Sequence, residues 1–322
     1  QGGEITGSID ESARHAITKL AHYHFPSTKQ ARKNIVQMGE RKETVFSYGC
    51  PSVDVVSKIR KYPSPTILNE GVGPELNFAK EYLLVLFHPV TTEYSSSEKQ
   101  MEEVLSAIKE LNMQTLLIWP NIDAGSDGVS QAIRRFREYN HSTQLHAYKN
   151  FEPEEYIPLL DNAVCAIGNS SSFLRDASFL GTPIVLVGSR QDGREHSDAV
   201  MRAEANREDI IKKVKVQLNH GRYEESELYG QEGVSIKIVE RIKNLTKYSQ
   251  KKLYQHDKAE FCSGQLVLPD RRQGKYTETD RFPGLLFHQK RTPSLCSSKR
   301  SYGACKGRKN YPLPVWAQVS SF

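Results

Sequence analysis

Cysteine is scarce and poorly placed for metal or cross-link chemistry. Only Cys50, Cys165, Cys262, Cys296 and Cys305 occur, and no two stand in CxxC spacing. An odd, scattered set argues against a zinc site and against the disulfide framework of a secreted domain, so the expected compartment is the cytoplasm. Long apolar runs are also missing: none reaches the roughly 20 residues of a membrane-spanning helix. The opening QGGEITGSIDES is neither basic nor apolar enough for a signal peptide. No internal repeat is visible. A sustained excess of one charge is absent from most of the chain as well, although the net charge is +6. From Lys251 onward there are 14 Lys and Arg against 5 Asp and Glu, which leaves residues 1–250 with 30 basic and 33 acidic groups. The basic character therefore belongs to the last part of the chain. That part lacks the aromatic and glycine grammar of an RNA-binding module, so no nucleic-acid partner is expected.

What the sequence does contain is regular from Glu81 onward. Tyr82–Phe87, Thr115–Trp119, Leu145–Tyr148, Ala163–Ile167 and Ile184–Val187 are short apolar runs. Helical patterns alternate with them near Lys99–Leu111, Val129–Tyr139, Glu154–Asp161, Phe173–Leu180 and Glu208–Leu218, with a last one at Val234–Leu245. Alternation of this kind predicts a doubly wound parallel sheet. Residues 1–70 read as the back end of another α/β domain. They have helices after Ser8 and over Lys29–Met38, short strands at Tyr23–Pro26 and Val45–Phe46, and an exposed linker through Tyr62–Pro65 and Gly71–Pro74. Three segments follow: 1–70, 71–247, and 248–322, a basic extension of low order that reads as disordered, or as added by readthrough or a change of frame.

The organising stretch is AVCAIGNSSSFLRDASFLGTPIVLVGSRQDGRE, residues 163–195. Gly168, Asn169, Ser170, Ser171 and Ser172 form a small-residue turn between a strand and a helix N-terminus. Unpaired N–H groups and the positive end of the helix dipole favour an anion there. Arg190 and Arg194, just past the next strand, supply cations. The plainer alternative is a capped helix with no ligand. His88 follows a strand directly, and Pro89 stops that strand, which aims the imidazole beyond the carboxyl edge of the sheet, where open parallel sheets bind ligands. A capping loop is the competing reading, and Thr91 and Thr92 lie next to it. His15, His22 and His24 read as structural histidines rather than a metal cluster. Glu4 and Asp10 stand six apart on a Gly/Ser loop, so capping and solvation suffice for them on composition alone. Arg14, four residues beyond Asp10, is placed to pair with it and keep it ionised.

Three motifs in order, GGEITGSIDESARHAITK, LFHPVTTEY with WPNIDAGSDG, and IGNSSS…GTP…GSRQ, resemble the UDP-N-acetylglucosamine 2-epimerases over roughly residues 1–245, in particular their hydrolysing branch. The resemblance implies two Rossmann-like domains of the glycosyltransferase-B type, the first incomplete. The opening motif normally lies deep within a domain, and the first residue is Gln, so an amino-terminally truncated chain is expected. It also implies UDP-N-acetylglucosamine as substrate, no cofactor or metal, and a homodimer. By the same resemblance Glu4 and Asp10 are acid and base, and His88 stabilises the leaving diphosphate. Ser170 and Ser171, with Asn169 in the same turn, hold phosphate. Asp176, where relatives usually carry Glu, binds the ribose hydroxyls. Phe151 lies against uracil, and Arg190 and Arg194 line the diphosphate loop, with Asn121 and Asp123 as sugar contacts. A glycosyltransferase of the same fold would keep Ser170 and Asp176 but has no reason to keep the opening motif. A UDP-binding chain without turnover is the third reading.

Overall fold

The computed structural model describes residues 10–59, 70–90, 93–121, 125–248, 250, 251 and 254, with no side-chain description for Asp10 and Tyr94. Three helices lead: α1 (Asp10–Leu20), α2 (Lys29–Gln37) and α3 (Ser52–Ile59). Thr28 caps α2, its Oγ1 accepting the Ala31 N–H at 3.1 Å. The strands expected at Tyr23–Pro26 and Val45–Phe46 reduce to one parallel bridge between His24 and Val45. The segments are too short to ladder further, and Arg32 occupies the Val45 carbonyl. α3 is not evident in the sequence, where the strand at Val45–Phe46 reads as running into Gly49-Cys50-Pro51-Ser52.

The regular part then runs β1 (Leu83–Leu86), α4 (Ser97–Leu111), β2 (Thr115–Ile118), α5 (Ser126–Tyr139), β3 (Leu145–Tyr148), α6 (Pro153–Asn162) and β4 (Cys165–Gly168). It continues through α7 (residues 171–180), β5 (Ile184–Val187), β6 (Val200–Ala203), α8 (Arg207–His220) and α9 (Val234–Lys243). The six strands form one parallel sheet in the order β3-β2-β1-β4-β5-β6. β1 to β5 are buried at every residue. That is why they read as unbroken apolar runs rather than as alternating ones.

Successive β1 side chains point to opposite faces. Leu84 and Leu86 pack with Leu116, Phe173 and residues of α3 and α6, while Leu83 and Val85 pack with α4, α5 and α8. β6 escapes the sequence pattern because it lies at the edge: Met201 is half-buried and Arg202 is exposed. Gly71–Pro74 is more than an open linker. Val72 exchanges two backbone hydrogen bonds with Ala147 of β3, at 2.9 and 3.0 Å, and the His146 ring reaches the carbonyls of Pro74 (2.8 Å) and Glu70 (2.7 Å). Packing also runs past the expected boundary at Lys247, since Tyr248 and Lys251 contact the segment around α1. Among the described residues no helix is long and apolar enough to cross a membrane.

Candidate functional site

Between β1 and β4 the winding of the sheet reverses, so the connections leaving them diverge and open a crevice at their carboxyl ends. β1 exits into His88 and β4 into Asn169–Ser172. Gly168 makes the close approach possible: its φ is +143°, and a Cβ there would stand 2.0 Å from the Leu86 carbonyl oxygen. The fully buried Asn169 ties the two exits together. Its Oδ1 accepts the His88 N–H at 2.7 Å, and its Nδ2 donates to the His88 carbonyl at 2.8 Å. The side chain expected to touch ligand is thus spent on holding the His88 backbone. The Asn169 carbonyl accepts from Gln191 Nε2 at 2.8 Å and from Arg190 Nη1 at 3.2 Å.

A cavity of about 690 Å³, within the usual range for small-molecule sites, lies over this crevice. Its lining includes Ser52 and Val56 of α3, His88, Phe151, Ser172 and Asp176. His88 Nδ1 accepts the Asn121 N–H at 3.4 Å, which leaves Nε2 to carry the proton of a neutral ring. Phe151 packs its ring 4.8 Å from Tyr148 and forms one wall. At the start of α7 a hydroxyl chain runs from Tyr156 to Ser172 (2.6 Å) and on to Ser170 (2.9 Å). Burial pushes the Tyr156 phenol up despite the Ser172 hydroxyl, so it stays protonated and can donate.

α7 is not a plain α-helix. Residues Phe173–Ala177 form a π turn, a local widening common at functional sites, and Asp176 stands on it. The Asp176 side chain is 9% exposed, and its Oδ1 has no hydrogen-bond partner in the protein. Burial raises its pKa, and neither the Arg175 charge nor the Ser52 hydroxyl offsets this. A solvated surface carboxylate is therefore excluded. Asp176 is a buried acceptor facing a cavity.

The structure brings His88, Phe151, Ser172 and Asp176 to one cavity. Ser170 is buried and one hydroxyl contact behind Ser172, and Ser171 is half-buried with Arg175 at 3.4 Å. Arg190 braces Asn169, and neither Arg190 nor the half-buried Arg194 lines the cavity. Arg14 forms an ion pair with Glu11. Asp10 opens α1, while Glu4, Thr91, Thr92 and Asp123 lie outside the described residues. His24 is buried against Glu40 at 3.3 Å, a structural histidine. Ser52 and Tyr156 carry no motif. The usable signal for Tyr156 is a hydroxyl standing among the apolar residues of α6.

A parallel sheet in this order, with a small-molecule cavity at its switch point, is the α/β architecture of the glycosyltransferase-B type. Residues 1–243 match the model of the UDP-N-acetylglucosamine 2-epimerases, and the chain belongs to that family. It is 33% identical over 251 residues to the UDP-N,N'-diacetylbacillosamine 2-epimerase (hydrolyzing) of Legionella pneumophila, covering 77% of this chain and 64% of the relative. It is 28% identical over 229 residues to the UDP-N-acetylglucosamine 2-epimerase of Neisseria meningitidis, covering 71% and 59%. The chain thus spans about three fifths of the length of these curated relatives. Among solved structures, the Neisseria meningitidis UDP-GlcNAc 2-epimerase bound to UDP-GlcNAc superposes with a TM-score of 0.59 at 16% identity, over 74% of this chain and 65% of that one. The Methanocaldococcus jannaschii UDP-GlcNAc 2-epimerase in complex with UDP-GlcNAc and UDP gives 0.59 at 17%, over 76% and 68%. At such identities these structures speak for the fold.

Proposed function

We propose that this chain carries the nucleotide site and part of the acid/base set of a hydrolysing 2-epimerase, which converts UDP-N-acetylglucosamine and water to N-acetylmannosamine and UDP. The observation that carries the reading is Asp176, a buried carboxylate with an unpartnered oxygen, in the same cavity as His88 at the switch point of the sheet. The uracil lies against Phe151, and the ribose hydroxyls donate to Asp176. The diphosphate meets the start of α7 and the Nε2–H of His88. A carboxylate of the first lobe, Glu4 or Asp10, removes the proton on sugar carbon 2. The C–H electrons form a carbon 1–carbon 2 double bond as the C1–O bond breaks, and UDP leaves with that bonding pair. His88 stabilises the charge that develops on the leaving phosphate. Water then adds its oxygen to carbon 1, and a proton returns to carbon 2 on the opposite face, which inverts it. No redox cofactor enters this balance. The site is proposed to work in the cytoplasm, within a homodimer.

Incubation with UDP-N-acetylglucosamine in deuterated water tests this, with UDP-N,N'-diacetylbacillosamine run in parallel because a relative is named for that sugar. Free UDP with N-acetylmannosamine deuterated at carbon 2 is the expected result. Transfer of the sugar to an added acceptor points to a glycosyltransferase, and UDP binding without turnover of either sugar to a binding-only chain. Either outcome overturns the proposal.

A further inference from the structure

The end of α1 is held by a residue some 230 positions further along the chain. The ammonium of Lys251 donates to the carbonyls of Thr18 (3.1 Å), Lys19 (3.0 Å) and Ala21, and pairs with Glu40 Oε2 at 2.7 Å. Carbonyls at a helix C-terminus have no partner within the helix, and a cation there also meets the negative end of the dipole. The carboxylate at its centre is buried. Glu40 is 2% exposed, and its other oxygen takes Lys19 at 2.7 Å. Tyr248 closes the same corner, its hydroxyl donating to the His22 carbonyl at 3.2 Å and its ring standing edge-on to His22. A second tie links Tyr23, whose hydroxyl donates to the Thr246 carbonyl. The partners that make these ties, Thr246, Tyr248 and Lys251, lie past residue 243, where the match to the family model ends.

We infer that Lys251 is a positioning residue, the catch of a latch formed by Thr246, Tyr248 and Lys251 that fixes the orientation of α1 and, with it, of Asp10 at the helix's other end. The catalytic half of this inference rests on the acid/base reading of Asp10 given above. Ten residues of helix put that end about 15 Å from the latch, so a tilt of about 4° moves it by about 1 Å. A displacement of about 1 Å at a reacting group is enough to cost about a hundredfold in rate. The latch also explains why a segment whose composition reads as low order begins with ordered contacts: its first residues complete a charge cluster around the buried Glu40.

The test uses the full chain with Lys251→Met, which keeps the length of the stem and removes the charge, and Lys251→Arg, which keeps a charge. Hydrogen exchange read by mass spectrometry is expected to show α1 amides exchanging at least about tenfold faster in the Met variant, with α4 and α5 unchanged. In the same variant kcat is expected to fall about a hundredfold while UDP affinity stays within about twofold, and the Arg variant should recover most of both losses. The α4 and α5 amides and UDP binding report whether the variant has folded. Unchanged α1 exchange in a folded Lys251→Met protein overturns the latch. Faster exchange with kcat intact overturns its role in positioning Asp10. The exchange measurement does not depend on turnover, so it decides the latch even where the proposed reaction fails.

Discussion

Asp54 and Asp176 are shut away from water to nearly the same degree, 7% and 9% exposed, yet the protein treats them oppositely. Asp54 on α3 sits at the N-terminus of α9. It accepts the N–H groups of Gly233 (2.6 Å), Val234 (3.2 Å) and Ser235 (2.6 Å). Burial would push its pKa up, but the Ser235 hydroxyl and those three N–H groups outweigh burial and hold it below the usual range. Asp176 has the burial with only the Ser52 hydroxyl as donor, so its pKa is raised. The first carboxylate is finished, and it joins α3 to α9. The second is left wanting a partner, which is what a ligand site requires.

The widest expected gap between the two regions is in turnover. In a protein that carries out the proposed reaction, Glu4→Gln and His88→Ala should each lower kcat by about 10²–10⁴-fold, as loss of a base or of charge stabilisation commonly does, with little change in melting temperature. A near-normal rate in either variant removes that residue from the mechanism. Stability should separate them next. Asp54→Ala strips three N–H groups, one buried and two half-buried, of their acceptor, and chemical unfolding is expected to show a loss of about 2–4 kcal/mol. The corresponding change Asp176→Asn should leave melting unchanged or raise it, while UDP affinity measured by calorimetry falls about 10–100-fold. If Asp176→Asn destabilised the fold as much as Asp54→Ala, the contrast would be broken.

Acidification gives the smallest effect and sharpens the same contrast. The folded pKa of His24 lies below its ordinary value of 6.5, chiefly because it is buried, so its contribution to stability is lost as pH falls below about 6.5. The pKa of Glu40 would be raised by burial but is held low by Lys19 and Lys251, and that of Asp54 is low as well. Their contributions are therefore lost only further down, as pH falls below about 4.5 and then below about 3.8. Asp176 moves the other way from the same ordinary value as Asp54, so it protonates before Asp54 does. UDP affinity should decline at a pH where Asp54 is still ionised and the α3–α9 junction is intact, which calorimetry beside thermal melts would show.

Much of this was legible before the structure, and what was not has identifiable causes. Strands buried on both faces announce themselves as apolar runs, so β1 to β5 could be read directly. β6 could not, because an edge strand holding Arg202 has no such run. His88 and the Ser170–Ser172 turn follow from the rule that ligands sit beyond the carboxyl ends of parallel strands, and Asp176 came from family resemblance. The π turn beneath it has no signature in composition. Asn169 was read as a ligand contact because sequence cannot say which way an amide faces, and here it faces the His88 backbone. The residues just past Lys247 look like solvated tail, since one lysine among many gives no sign that its ammonium ends beside a buried Glu40.

The pairing of Val72 with Ala147 has a consequence for how copies of this protein behave toward one another. A parallel sheet exposes unsatisfied N–H and C=O groups along its outermost strand, an invitation to edge-to-edge aggregation. At β3 the preceding stretch of the same chain already lies over part of that rim, with the His146 ring gripping it on both sides. There the Ala147 N–H and carbonyl are already paired within the chain, so those groups are not available to a strand from a neighbouring molecule.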